Sequence, residues 1–126
     1  MAQRIFSGVP SEAIAGYAKA VIDGSTIYVS GTTGRDQTTG MFPPDAAQQA
    51  RNALADIDNV LRKAGASLAN AVASRVYVTD LESAEAVTPV LGEVFKDIRP
   101  TSTFLICQIP ARDAKVEIEI TASVVQ

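Results

Sequence analysis

At Lys115-Val116-Glu117-Ile118-Glu119-Ile120-Thr121 the chain alternates apolar and polar residues without a break. A period of two is that of a strand, so Val116, Ile118 and Ile120 share one face, and Glu117 and Glu119 the other. The same pattern divides residues 26–30, with Ile27 and Val29 against Tyr28 and Ser30. It also divides residues 74–79, with Val76 and Val78 against Arg75, Tyr77 and Thr79. Joined in one sheet, these strands offer an aliphatic face to helices and an opposite face of carboxylates, hydroxyls, phenols and one guanidinium. A face so mixed is either wetted surface or one wall of a site that another subunit closes.

Between the strands the period lengthens. Ala46, Ala50, Ala53, Leu54, Ile57, Val60, Leu61 and Ala64 recur at spacings of three and four, an amphipathic stripe suited to the aliphatic face. Pro43-Pro44-Asp45 opens this helix, and Gly65 ends it behind Arg62 and Lys63, whose charges suit the C-terminal end of the dipole. A second helical stretch, about residues 82–96, follows Asp80 as its N-cap. Thr88-Pro89 inside it predicts a kink, or a fresh start capped by Thr88. Residues 3–7 read as a short edge strand, and residues 18–22 run through Asp23-Gly24 into 26–30, a hairpin signal. The polar, Gly-rich stretch from Gly31 to Gly40 fits neither P-loop nor GxGxxG spacing, and reads as turn chemistry. Arg99-Pro100 leads into a strand over 101–108, and Pro110-Ala111-Arg112-Asp113 turns into the last strand.

Beyond the edge strand, the order is β-β-α-β-α-β-β. It predicts one α+β domain over residues 1–126, a mixed sheet with two helices packed on one face. Nothing in the pattern supplies a third layer for the polar face, and a partner subunit is the economical cover.

Composition narrows the chemistry. With 126 residues, 47% of them apolar, the chain can bury a core and is not disordered. The net charge is −3, no basic run exceeds Arg62-Lys63, and Trp is absent, so no nucleic-acid footprint is visible. There is no His, which removes Ser-His-Asp and Cys-His catalysis and His-ligated metals. The lone Cys107 ends an apolar run, Phe104-Leu105-Ile106, and is expected as an inert core thiol, a reactive one being the alternative. No signal stretch or membrane span stands out, and no intrachain disulfide can form; a soluble, cytoplasmic protein is the expectation.

Several segments, in order, are similar to one family: Ala13-Ile14-Ala15-Gly16-Tyr17, Tyr28-Val29-Ser30-Gly31, Ala64-Gly65-Ala66-Ser67-Leu68, Val76-Tyr77-Val78-Thr79-Asp80-Leu81, Arg99-Pro100-Thr101 and Val116-Glu117-Ile118-Glu119. This ordered set resembles the Rid (YjgF-like, or L-PSP endoribonuclease-like) family over nearly the whole chain. The resemblance implies a chorismate-mutase-like α+β fold, a homotrimer with a small-molecule cleft at each subunit boundary, and no cofactor. It also implies hydrolysis of reactive enamines and imines to keto acids and ammonia. Tyr17, Ser30 and Glu117 match pocket residues of the family's deaminases, and Gly31 a backbone donor beside the pocket. Those deaminases carry an Arg and often a Cys where this chain has Ser102 and Phe104, and an Asn where it has Thr88. A guanidinium grips a carboxylate through two parallel hydrogen bonds, whereas a hydroxyl offers one. The chain thus resembles the subgroups without that arginine.

On this reading Glu117 positions the attacking water or moves a proton, its alternative role being an interface ion pair. Ser30 beside Gly31 offers an oxyanion contact or merely ends its strand, and Tyr17 shields a ligand or lies at a subunit boundary. Arg75 is a candidate replacement clamp, or neutralises Glu117 or Glu119. Thr88, Ser102 and Phe104 would reshape the cleft. The leading function is deamination of an enamine or imine with an altered substrate. The alternative is a non-catalytic metabolite-binding or stress-protective trimer, and an endoribonuclease comes third, against the charge and the missing His.

Overall fold

The computed structural model describes residues 2–124; Met1, Val125 and Gln126, part of the single-domain expectation, lie outside them. One six-stranded sheet carries the fold: β1 (Gln3–Ile5), β2 (Ala20–Asp23), β3 (Thr26–Thr33), β4 (Ala71–Val78), β5 (Thr101–Ile106) and β6 (Val116–Ser123), in the order β1-β2-β3-β6-β4-β5. All pairings are antiparallel except β4 with β5, which are parallel and joined through a helix. Among the described residues three α-helices accompany it, α1 (Pro10–Ala15), α2 (Ala46–Lys63) and α3 (Leu81–Phe95), with one 3₁₀ turn at Leu68–Asn70.

The alternation of β6 holds throughout. Val116, Ile118, Ile120 and Ala122 are fully buried, and the residues between them are half-exposed. Ile27, Val29, Val76 and Val78 continue that buried face across β3 and β4, and α2 covers it with Ala50, Ala53, Leu54, Ile57 and Leu61. Each such branched side chain contributes about 1.5–3 kcal/mol by leaving water. On the opposite face the register aligns Leu105, Tyr77, Glu117 and Thr33 in one row, and Thr103, Arg75 and Glu119 in the next.

The caps follow the sequence. Asp45 accepts from Ala47 N at 3.0 Å to start α2, and Asp80 accepts from Ser83 N at 2.7 Å to start α3. Gly65, at φ 83°, takes the left-handed position after α2. Several expectations need correction. Helix α3 runs unbroken through Pro89, and Thr88 caps no new start, because its hydroxyl donates to Ala84 O at 2.8 Å one turn back. The third helix, α1, was not anticipated, although Pro10 at its first turn and Gly16 at φ 76° behind it bracket six residues in the usual way. Strand β5 stops at Ile106, and Cys107 is exposed rather than a core thiol, because β5 is an edge strand whose end no helix covers. Strand β3 continues past Ser30 to Thr33, into the stretch read as a loop. No helix among the described residues is long and apolar enough to cross a membrane.

Gln49 ties the loops to the core. Fully buried in α2, it donates to Pro43 O at 2.7 Å and Asp113 O at 3.1 Å, and accepts from Lys115 N at 2.8 Å. Gly34 lets β3 leave the sheet at this point: a β-carbon there would collide with the Gln49 backbone. Gln49→Leu removes the partners of up to three partly buried backbone groups. It should destabilise the fold by roughly 3 kcal/mol in urea denaturation, and an unchanged midpoint would contradict this account.

Candidate functional site

Strand β3 changes step where it reaches the middle of β6. Val29 opposes Ile120 and Thr32 opposes Ile118, so Ser30 and Gly31 together face the single residue Glu119. This bulge inserts one extra residue and reverses the facing of everything after it. Thr32 therefore points inward, 2% exposed, although parity counted from Tyr28 would turn it outward. Hydrogen bonds to the chain before β2 hold the bulge: Ser30 N donates to Lys19 O at 2.9 Å, and Ser30 Oγ to Ala18 O at 2.6 Å.

The Glu117 carboxylate lies over Gly31. A β-carbon at position 31 would collide with Glu117 Oε2, so only glycine leaves it this seat. Burial raises the Glu117 pKa above its ordinary 4.5, and the nearby Glu119 charge raises it further. The carboxyl thus keeps its proton to higher pH than a solvated glutamate, as suits a group that gives and takes protons.

An open cleft of about 900 Å³ lies along this edge of β3, with Tyr17, Ser30, Gly31 and Glu117 all in its lining. These are four of the residues the sequence pointed to, drawn from three separate segments. Tyr17 follows the end of α1, half-exposed, its hydroxyl 2.7 Å from Ser11 Oγ. The Ser30 hydroxyl hydrogen is committed to Ala18 O, so its oxygen presents lone pairs to the cleft. This corrects the expectation of a hydroxyl donor for an oxyanion. A smaller depression of about 200 Å³ lies beside Glu117, lined by Tyr77, Cys107 and Pro110 among others.

Four sequence candidates are not in the lining of either cavity. Arg75 is exposed on the open face, paired across strands with Glu119 and Thr103. Ser102 pairs with the inward-facing Ser74, and Phe104 packs against the core, so β5 turns both toward the helix side. Thr88 is bound up in α3.

The sequence reading also missed residues that line the cleft. Lys19, 9% exposed, donates to Thr32 Oγ1 at 2.9 Å and Asp56 Oδ2 at 3.0 Å. Glu12 accepts from Ser7 Oγ at 2.7 Å, Ser7 N at 3.0 Å and Gly8 N at 3.0 Å; the Ser7 bonds are the main cause of its lowered pKa. Their pairings join segments far apart in sequence or a helix too short to show a period. Among the described residues no cluster of three His, Cys, Asp or Glu side chains could hold a metal ion.

The arrangement is that of a small α+β protein with a carboxyl seated over a strand bulge in an open cleft. Comparison with known proteins then gives the family. The Endoribonuclease L-PSP family profile matches residues 9–124, and the chain belongs to that family. The chain is 31% identical to a 2-iminobutanoate/2-iminopropanoate deaminase of Capra hircus, over 97% of this chain and 90% of that protein. Its fold matches the crystal structure of a YjgF/YER057c/UK114-family protein from Mycobacterium tuberculosis at TM-score 0.87 and 36% identity, covering 98% of this chain and all of the other. Escherichia coli TdcF, solved with bound serine, matches at TM-score 0.80 and 26% identity, covering 97% and 94%.

Two outcomes test the Glu117 geometry. Its proton is held more tightly in the folded than in the unfolded chain, so it contributes stability below the ordinary 4.5 that is lost as pH rises through the folded value. Glu117→Gln should therefore flatten the stability profile in that window, as thermal melts across pH will read. Gly31→Ala should leave the fold intact, expel the carboxylate and bring its pKa down toward 4.5, as a carboxyl NMR titration will show.

Proposed function

We propose that the cleft hydrolyses a small enamine or imine, with Glu117 as the group that moves protons. The observation carrying this reading is the Glu117 carboxyl over the Gly31 bulge, its pKa raised by burial, in a cavity large enough for a small metabolite. The similarity to an iminobutanoate/iminopropanoate deaminase supports it. Protonated Glu117 would give its proton to an enamine carbon or imine nitrogen. As carboxylate it would take a proton from water as the water oxygen bonds to the imine carbon and the C=N π pair moves to nitrogen. The carbinolamine then breaks its C–N bond as nitrogen receives a proton and the hydroxyl loses one, giving a carbonyl and ammonia.

In this proposal the working unit is a homotrimer. Leu105 and Ile106 are each about half-exposed on the β5 edge, and Leu105 lies in the same row as Tyr77 and Glu117. A second copy covering that edge would close the open face beside Glu117 and bring its own exposed Arg75, Thr88 or Ser102 toward the cleft. The substrate would differ from that of the arginine-bearing deaminases, because the family resemblance aligns Ser102 with their arginine. The same substitution favours a second reading, a metabolite-binding protein without turnover.

Ammonia release from imines generated in situ by an amino-acid oxidase separates the two. Small, branched and aromatic precursors should show acceleration on at least one, abolished by Glu117→Gln. A flat panel beside an active arginine-containing family member would leave the binding reading.

A further inference from the structure

The charges lining the cleft can be accounted for one at a time. Glu12 is satisfied by the Ser7 and Gly8 donors, and Asp56 is paired with Lys19. Glu117 lies over Gly31, and among the described residues no cation lies within ion-pair distance of it. Arg35 is left. Among the described residues, it is the cation in the lining without a carboxylate partner.

Its guanidinium is nevertheless held in place. It lies over the Phe42 ring, 4.4 Å from the centroid, and Nη1 donates to Gly40 O at 2.9 Å. The loop beneath it is closed on itself by Asp36 N to Met41 O at 2.8 Å and Gly40 N to Asp36 O at 2.7 Å. The Asp36 carboxylate, next in sequence, is turned to Thr38 N and Thr39 N. Gly34, against the Gln49 backbone, fixes the point where the loop leaves β3, and Arg35 stands two residues beyond Thr33, the cross-strand partner of Glu117. A guanidinium has five N–H donors, and the hydrogen bond to Gly40 uses one. Stacking on a ring leaves the in-plane N–H groups free to meet a carboxylate in the two-point geometry that Ser102 cannot supply. Because the side chain is already ordered, binding forfeits less of its freedom.

We propose that Arg35, braced by Phe42, is the carboxylate-binding residue of this cleft and sets its preference for anionic substrates such as 2-imino acids. The inference rests on the reading of the cleft as a small-molecule site and replaces Arg75 as the candidate clamp. The clamp lies on the loop after β3, in the same lining as Glu117, whereas Arg75 faces Glu119.

The test is binding rather than turnover, so it fails separately from deamination. NMR titration of the full chain with 2-oxobutanoate and with its neutral amide should show the acid preferred. Arg35→Gln should weaken the acid by about tenfold or more and leave the amide unchanged. Arg35→Lys should recover part of the loss, and Phe42→Leu, which keeps the charge but removes the ring, should show a smaller loss of the same sign. Equal binding of acid and amide by the unaltered chain would overturn the proposal, as would an Arg35→Gln variant that keeps the discrimination. Arg35-dependent binding without ammonia release would count against catalysis alone. Turnover of a carboxylate-bearing imine undiminished in Arg35→Gln would count against the clamp.

Discussion

The alternation along β6 links the stability of this protein to its chemistry. Val116, Ile118 and Ile120 must face the helices, since together they form the middle of the buried face, and a period of two then obliges Glu117 and Glu119 to face the other way. A one-residue slip against β3 or β4 would bury two carboxylates under α2 and expose the aliphatic residues, so the register is strongly specified. The core thus fixes which face carries the carboxyls. It does not by itself give either of them a special environment.

That environment comes from the partner strand. With regular pairing, residue 30 would oppose Glu119 and residue 31 would oppose Ile118. The bulge brings Ser30 and Gly31 together opposite Glu119, and Glu117 comes to lie over a residue with no side chain. The bulge leaves a gap in the side-chain layer that the carboxyl fills, and partial burial there raises its pKa. It also turns Thr32 inward to meet Lys19, whose ion pair with Asp56 ties the start of β2 to helix α2. One extra residue therefore links the open face, the cleft wall and the helix layer.

The sequence made the regular parts legible because each obeyed one period and had its own punctuation. Strands β3, β4 and β6, helix α2 and the Asp80 cap belong to this class. The short helix α1 carried no period, though Pro10 and Gly16 marked its ends. Helix α3 passes through Pro89 with Val87 and Val90 buried on either side of it, a matter of packing that local propensity does not report. Exposure of Cys107 followed from β5 lying at the sheet edge, a fact of topology rather than of the apolar run containing it. Of the site, Tyr17, Ser30, Gly31 and Glu117 were found by resemblance, and the fold brings them to one cleft. Lys19, Glu12 and Arg35 were not, because each owes its position to a contact that no local pattern encodes.

On the proposed reading, Arg35 would meet from another part of the fold the requirement that the family resemblance places at position 102. Binding a small carboxylate needs a planar cation held within reach, and the strand that supplies it is not fixed by the reaction. At position 102 a clamp would stand on an edge strand and depend on a neighbouring copy to meet Glu117. At position 35 it stands on the loop that continues the bulged strand, braced by Phe42 within the same chain. Such a move changes the direction from which the carboxylate is held, and hence which side of the reacting carbon faces Glu117. Substrate shape, rather than charge alone, would then separate this protein from deaminases with an arginine at position 102, the arrangement the resemblance implies for them.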